Sequence, residues 1–536
     1  MYTTSNFTKY PTIKPFSFFL PDSRIKCRKF ILLKSKIISF FYAFLLLLLF
    51  SNSYIFGQST TITSGSNSNL HFPQLSFSQI LNIPSPKKGM TVFDNTSNVL
   101  RYYNGTEWLI LSQNSNTSNT TNAYKFANLN SPNDASGIST DSQGNSVIVG
   151  TFDGNIELNG CTLNGLQASF LTKIDKNNSC TWAVKINYTE IKDVTVDVND
   201  NIYITGSFGG YSSTAFSEFG STISTSGGRD IFIAKFNSEG VFQWVKKSGS
   251  IENDIGFSIA VGNEIYITGY WDGNAISSYH KLLIEKFDLN GNLLLHRVYT
   301  PSSGPILGRK ILVDKITGKY FVGGTYTGAT TVEGVTLPSN NTFNFFILGF
   351  DENNNLSWSK YGKDVFDDMA MDINQNLYVV GLFHSNFSLE NINLTSEGPS
   401  SLFLLKISKF GTLEWVSQFG KSVNYEGLDC NDIEVDEQNN LYITGLFNQT
   451  LNSGQTTLKS KGADDIYVAK LSPSAQLIWI QKGGSSSYDS GQKLSVTKDG
   501  RINIIGTFKG EFEMNSQKVI SSEIIFNDIF FIQMSR

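Results

Sequence analysis

Asp197-Val198-Asn199-Asp200-Asn201-Ile202-Tyr203-Ile204-Thr205-Gly206-Ser207-Phe208 decides the architecture of this chain. Its first half carries Asp and Asn, which build tight turns. Its second half is a β-branched and aromatic run of strand length. That run returns as Val147-Ile148-Val149-Gly150-Thr151-Phe152, and again with its aromatic at Trp271, Tyr326, Phe383, Phe447 and Phe508. The glycines are Gly150, Gly206, Gly269, Gly324, Gly381, Gly445 and Gly506, separated by 56, 63, 55, 57, 64 and 61 residues. A period of that length points to an array or a closed ring of small sheets.

Reading outward from Gly206 completes the unit. Val194-Thr195-Val196-Asp197 precedes the turn, and Asp230-Ile231-Phe232-Ile233-Ala234-Lys235-Phe236 follows a variable segment. The turn Asn237-Ser238-Glu239-Gly240 then leads into Val241-Phe242-Gln243-Trp244-Val245. Four antiparallel strands per unit describe a propeller blade, and the copy number predicts an all-β, seven-bladed β-propeller over 122–536. The last copy stops at its third strand, Ile529-Phe530-Phe531-Ile532-Gln533-Met534. Ala123-Tyr124-Lys125-Phe126-Ala127-Asn128 looks like a fourth strand without the other three, with Tyr124 where Trp182, Trp244, Trp358, Trp415 and Trp479 fall. The N-terminal strand is therefore expected to complete the last blade and remove an open sheet edge.

D-x-x-x-N-x-Y-x-T-G-x-F, D-x-F-x-A-K and G-x-x-x-W, as in Asp197–Phe208, Asp230–Lys235 and Gly240–Trp244, resemble the bacterial seven-bladed β-propeller repeat family. The resemblance covers 122–536 and implies an exported or surface protein with no common assigned reaction. The third copy departs, with Ala260 at the Asp position and Leu295 at the Trp position. The last has Thr497 and Gln533 for the Asp and Lys.

Residues 1–57 read as leader and signal peptide. Arg24, Lys26, Arg28, Lys29, Lys34 and Lys36 precede the 14-residue apolar run Ile37 to Phe50, and small residues follow. Residues 58–83 read as a linker and 84–112 as a small β module. The module carries Gly89–Asp94, Asn98–Gly105 and Trp108–Leu111 separated by Asn/Gly turns, and resembles a strand module of Bacteroidota surface proteins. Residues 113–121 read as a second linker. Export permits a disulfide, and Cys161 with Cys180 is the local candidate.

Charged residues are only 16% and net charge is −4, with no basic patch in the repeats, which argues against nucleic acid. The motif aromatics and the five tryptophans read as blade-to-blade packing, because a ligand site rarely needs one equivalent per repeat. Asp and Lys travel together as Asp141/Lys173, Asp197/Lys235, Asp372/Lys406 and Asp436/Lys470, which suggests paired charges. Asp197–Asn201 shares Asp and Asn spacing with a calcium loop but lacks its bidentate Glu and central Gly, so turn chemistry is expected and no metal or cofactor. His71, His280, His296 and His384 are scattered and form no catalytic set.

Length varies mainly between the second and third strands: Gly206 to Lys235 spans 29 residues, Gly269 to Lys286 only 17. Variable loops on a rigid scaffold are the usual binding surface. The blade connections on that face carry Asp134, Asp193, Asp254, Asp367, Asp368, Asp432 and Asp489. Asp254, Asp367, Asp368, Asp432 and Asp489 are the candidate binding residues, available to a cation or basic partner, and neutralising Asp254, Asp367, Asp368 and Asp432 together is expected to leave stability nearly unchanged. The reading is a monomeric, exported, non-enzymatic binding or scaffold protein that recognises protein or glycan. It would stand free of the membrane once the signal is cleaved, in the periplasm, at the outer surface or outside the cell. The alternative is a propeller-based hydrolase or lyase acting on extracellular polysaccharide.

Overall fold

The computed structural model describes residues 72–95, 99–106, 108–110, 121–128, 134–273, 279–338, 342–422, 427–521 and 527–535. The leader read as a signal peptide lies outside them. Two compact units are present, Met1–Thr117 and Ser118–Arg536.

The first unit is one sheet, β1 (Gln74–Leu75), β2 (Thr91–Asp94), β3 (Val99–Tyr103) and β4 (Trp108–Ile110) in that order, with helix α1 (Phe77–Leu81). Part of the expected linker is thus folded. Ser76 and Gln79 form a capping box that starts α1. Ile80 and Ile83 then pack on Val92. Phe77, Ile80 and Ile83 recur every third residue, a face too short to register as periodicity in a Ser/Asn-rich segment. Arg101 pairs with buried Asp94 at 2.8 Å, and its guanidinium lies 4.1 Å from the centre of the Phe77 ring.

The second unit repeats one sheet. In the second repeat the strands are Thr189–Val196, Ile202–Phe208, Asp230–Phe236 and Phe242–Ser248, hydrogen-bonded in chain order. The second and third strands are apolar on both faces because neighbouring sheets cover both. The strand β5 (Thr121–Asn128) runs antiparallel to Asp528–Met534, with Tyr124 opposite Phe531. First strands of successive repeats are neighbours, and Ser490–Val496 of the last lies beside Asp134–Thr140 of the first.

Each motif glycine answers a close approach. The first strand bulges, for example between Ile191 and Asp193 and between Cys430 and Asp432. The bulge pushes a carbonyl oxygen toward the second strand. A Cβ at Gly206 would sit 2.0 Å from the Glu190 oxygen, and one at Gly445 2.1 Å from that of Asp429. No side chain fits there.

The turn aspartates cap their own hairpins. Asp197 Oδ1 accepts from the amides of Asn199 and Asn201 at 2.8 and 2.9 Å, and Oδ2 accepts from the Asn201 side chain at 2.9 Å. Asp141, Asp372 and Asp436 repeat the pattern. The Asp–Lys pairing needs a correction. Tyr203 stands between the partners: its hydroxyl donates to Asp197 at 3.1 Å, and Lys235 Nζ lies 5.1 Å from its ring centre. A direct pair, Lys173 to Asp141 at 2.7 Å, forms where Val147 replaces the tyrosine.

The variable segments fold back as hairpins wedged against the preceding sheet. Phe387 and Leu389 share a core with Phe345 and Ile347 of the repeat before, and Phe512 and Met514 with Ile466 and Val468. Much of each segment is therefore structural. Tryptophans tie the outer edges: Trp182 and Trp358 donate at 3.2 Å to the carbonyls of Ser238 and Lys409 in the following repeat. Cys161 and Cys180 are bonded across 19 residues, a closure that stabilises by about 3 kcal/mol through the unfolded chain.

The third repeat has no such hairpin among its described residues. Its interface with the second keeps an apolar core, with Ile231 and Ile233 against Ile259, Ile265 and Ile267, and also holds a polar group. Fully buried Glu285 stands where Ala234 stands one repeat earlier, and accepts from Ser248 Oγ and meets His296 Nδ1, both at 2.6 Å. Trp271 packs on His296 at 4.8 Å between ring centres.

Two outcomes follow from this packing. Gly206→Ala or Gly445→Ala should lower stability by about 2–3 kcal/mol or more, as overpacking against backbone does. Gly262→Ala, whose Cβ would lie 3.5 Å from its nearest neighbour, should cost under about 1 kcal/mol; urea midpoints compare them. The hydrogen bond to Glu285 raises the His296 pKa above its ordinary value, with the Glu285 charge and, more weakly, Asp254 adding to it against burial. A raised pKa gives stability that is complete below about pH 6.5 and is lost as pH rises through the folded value. The melting temperature should therefore fall between pH 6 and alkaline pH, and His296→Gln should flatten that slope.

Candidate functional site

The residues just after each bulge face the repeat axis and tie one first strand to the next. Ser136 Oγ donates to the Ile191 carbonyl at 2.7 Å. Asp193 accepts from Ser258 Oγ at 2.9 Å and the Ile259 amide at 3.0 Å, and Ser258 Oγ accepts from the Ile311 amide at 3.3 Å. Lys310 pairs with Asp368 at 3.4 Å. Lys493 reaches Asp368 at 3.3 Å and Asp432 at 2.8 Å. Gln492 Oε1 accepts from the Ala135 amide at 3.3 Å. Burial pushes Asp368 up, but Lys310 and Lys493 outweigh it and hold the carboxyl well below its usual range. Burial pushes Asp432 well up, with the Asp368 charge adding to it and the Lys493 and Lys310 charges opposing it.

The candidate aspartates divide between this axis and the loops. Asp254 takes up the Ser250 amide and hydroxyl and the Asp272 amide. Asp489 does the same with Ser485 and the Lys509 amide, and burial raises its pKa to about 6. Asp367 Oδ2 is buried with no hydrogen-bond partner, and burial pushes the group well up. Asp254, Asp368, Asp432 and Asp489 are at most 2% exposed. The expectation that the set could be neutralised without loss of stability is corrected: these carboxyls hold loops and axis together.

A cleft of about 380 Å³ opens on the same face, between the first two repeats. Its cause is local. The connection from Cys180–Asn187 to Thr189–Val196 is the single residue Tyr188, whereas residues 249–254 make the next one. Tyr188 turns in a left-handed conformation, φ 60°, with its amide donating to the Gln167 carbonyl at 3.0 Å. Gln167, φ 47°, donates its own amide to Asp153 Oδ1 at 3.0 Å. At the cleft floor Glu190 pairs with Arg229 at 2.8 Å and with Lys192. Burial acts to raise Glu190, but the two cations overcome it and lower its pKa; burial raises that of Asp134. Gly210 crosses over Arg229, where a Cβ would lie 2.9 Å from Nε, and delivers Tyr211 to the rim, 64% exposed.

Sequence reasoning named Asp134 but missed Tyr188, Glu190, Tyr211 and Arg229. No length signal marks the cleft. Trp182 to Asp197 is 15 residues and Trp358 to Asp372 is 14, so the short connection arises because both flanking strands run on to Tyr188.

Residues 58–123 match the family described as phage tail like trimerisation region. The chain is 24% identical over 374 residues to an uncharacterized WD repeat-containing protein of Acanthamoeba polyphaga mimivirus, covering 63% of this chain and 26% of that one. Similar solved structures include a virginiamycin B lyase from Staphylococcus aureus, at 10% identity, TM-score 0.40, covering 77% of this chain and 98% of that one. Another is BamB from Moraxella catarrhalis, at 11% identity, TM-score 0.33, covering 84% and 95%. The second unit is an all-β, propeller-type repeat structure.

Lys493→Met should cost about 3–5 kcal/mol, because it leaves buried Asp368 and Asp432 short of a cation. Lys518→Met, at an exposed pair, should stay within about 0.5 kcal/mol. Urea denaturation measures both.

Proposed function

We propose that the protein is an exported, non-enzymatic binding protein whose seven-bladed propeller recognises glycan or protein through the face bearing the cleft. The cleft carries this reading. It combines two tyrosines with charged and amide groups on a rigid scaffold, the composition of a ligand site. Closure of the ring by β5 draws support from its pairing with Asp528–Met534 and from the cycle of axial contacts. The repeats read best as the bacterial seven-bladed family named above. Export draws support from the leader sequence and from the Cys161–Cys180 bond, since such bonds persist in oxidising compartments.

The first unit adds assembly to this reading. Among its described residues the buried apolar cluster is Ile80, Ile83 and Val92, with Leu75, Met90 and Trp108 packed against it, a small core of the kind that association commonly supplements. Together with the trimerisation match this favours three chains over the monomer expected from sequence. Three clefts on one assembly would raise avidity without new contacts.

A second reading, a hydrolase or lyase on extracellular polysaccharide, is favoured by one observation. Asp134 and Glu190 line one cleft with pKa values moved in opposite directions, the arrangement that separates acid from base.

Light scattering on the full chain should give the mass of three chains; the mass of one would remove the assembly part. Deleting residues 121–128 should cause aggregation through an uncovered edge, and a monodisperse product of unchanged melting temperature would remove ring closure. Turnover of a polysaccharide by purified protein would promote the second reading.

A further inference from the structure

We infer that the cleft between the first two repeats binds a neutral glycan, with a sugar ring on Tyr211 and Tyr188 and hydroxyls on the Glu190–Arg229 pair. This rests on the binding role proposed above and names its ligand. Three features lead to it.

The first is size. About 380 Å³ is the scale of a small-ligand pocket. A protein partner would need roughly 800 Å² of surface on each side.

The second is charge. Asp134, Asp153 and Glu190 line the cleft against Arg229, and Lys192 is already paired with Glu190. An anionic ligand would face more carboxylates than cations. An apolar one would strip water from Arg229 and the carboxyls without replacing its hydrogen bonds. A neutral polyol satisfies both constraints. Its hydroxyls donate to Glu190 and Asp153 and accept from Arg229, and its ring carbons cover a tyrosine face.

The third is construction. Tyr188 is held at φ 60°, and backbone strain of this kind persists where the surroundings enforce it. Gly209, φ 105°, and Gly210 let the segment cross Arg229 closely and present Tyr211 outward. Tyr211 is exposed at the start of a segment that buries its own Phe216, as other repeats bury Phe387 and Phe512.

The test is titration calorimetry on the full chain with two sets of oligosaccharides. One set holds neutral hexose and N-acetylhexosamine oligomers, the other uronate- or sulfate-bearing oligomers. Variants are Tyr211→Ala, Tyr188→Gly, which keeps the left-handed backbone, and Glu190→Gln. At least one neutral oligomer should bind. Tyr211→Ala and Glu190→Gln should each weaken it by about tenfold or more. Binding should change less than about threefold between low and high salt, since no charge is neutralised. Tyr211 is exposed, so that variant tests the contact apart from folding. Three results would overturn the inference: no neutral oligomer bound at millimolar concentration, unchanged binding by both Tyr211→Ala and Glu190→Gln, or a preference for the acidic set. A protein ligand whose affinity ignores Tyr211→Ala and Glu190→Gln would overturn the glycan assignment while leaving the binding role standing. Failure to bind glycan or protein of any kind would remove both.

Discussion

The contact between a bulged carbonyl and a glycine organises the large unit. In six of the seven repeats the first strand gains a residue opposite the motif glycine, and in all seven a carbonyl oxygen occupies the space a Cβ would need, at 1.9–2.2 Å. The bulge increases local twist and re-aims the following residue. Asp193, Ser258, Lys310, Asp368, Asp432 and Lys493 thereby meet across repeats rather than within them. The same backbone irregularity that forces glycine on the second strand supplies the charges of the axis.

Those charges are costly to bury singly and tolerable only together. Lys493 spans two repeats to reach both Asp368 and Asp432, and its ammonium offsets the repulsion between the two carboxyls. Farther from the axis, apolar hairpins and tryptophans take over. The result is a set of interfaces built alike, which makes the two exceptions informative. Between the second and third repeats a polar Glu285–His296–Ser248 group stands in for the wedge. Between the first and second, a one-residue connection leaves a cleft.

The cleft is where the scaffold departs from its own rule without filling the gap. Its charged floor is internally paired, and its rim carries an exposed tyrosine held out by two glycines. That pattern separates it from Asp254, Asp368, Asp432 and Asp489, whose carboxyls are consumed by backbone amides, hydroxyls and lysines. The proposed recognition role and the structural roles thus fall on different residues.

The sequence alone determined the repeat, its four strands, its turns and the need for glycine. Each of these follows from local chemistry: Asp and Asn cap hairpins, β-branched runs extend, and a residue without Cβ marks a close approach. It also held the strand β5 that completes the last sheet, since Tyr124 falls at the tryptophan position of a fourth strand lacking its repeat. Only the tertiary structure decided what the spare polar residues do. Asp254 and Asp489 looked like free loop acids because sequence does not show which amides lie nearby. Asp197 and Lys235 looked like partners because the intervening Tyr203 ring is invisible in one dimension. Phe387 and Phe512 looked like loop residues because the sheet they cover belongs to another repeat. Tyr188, Glu190, Tyr211 and Arg229 come together only when two strands run on to a single-residue turn. That juxtaposition is a property of neighbouring sheets, and no local pattern encodes it.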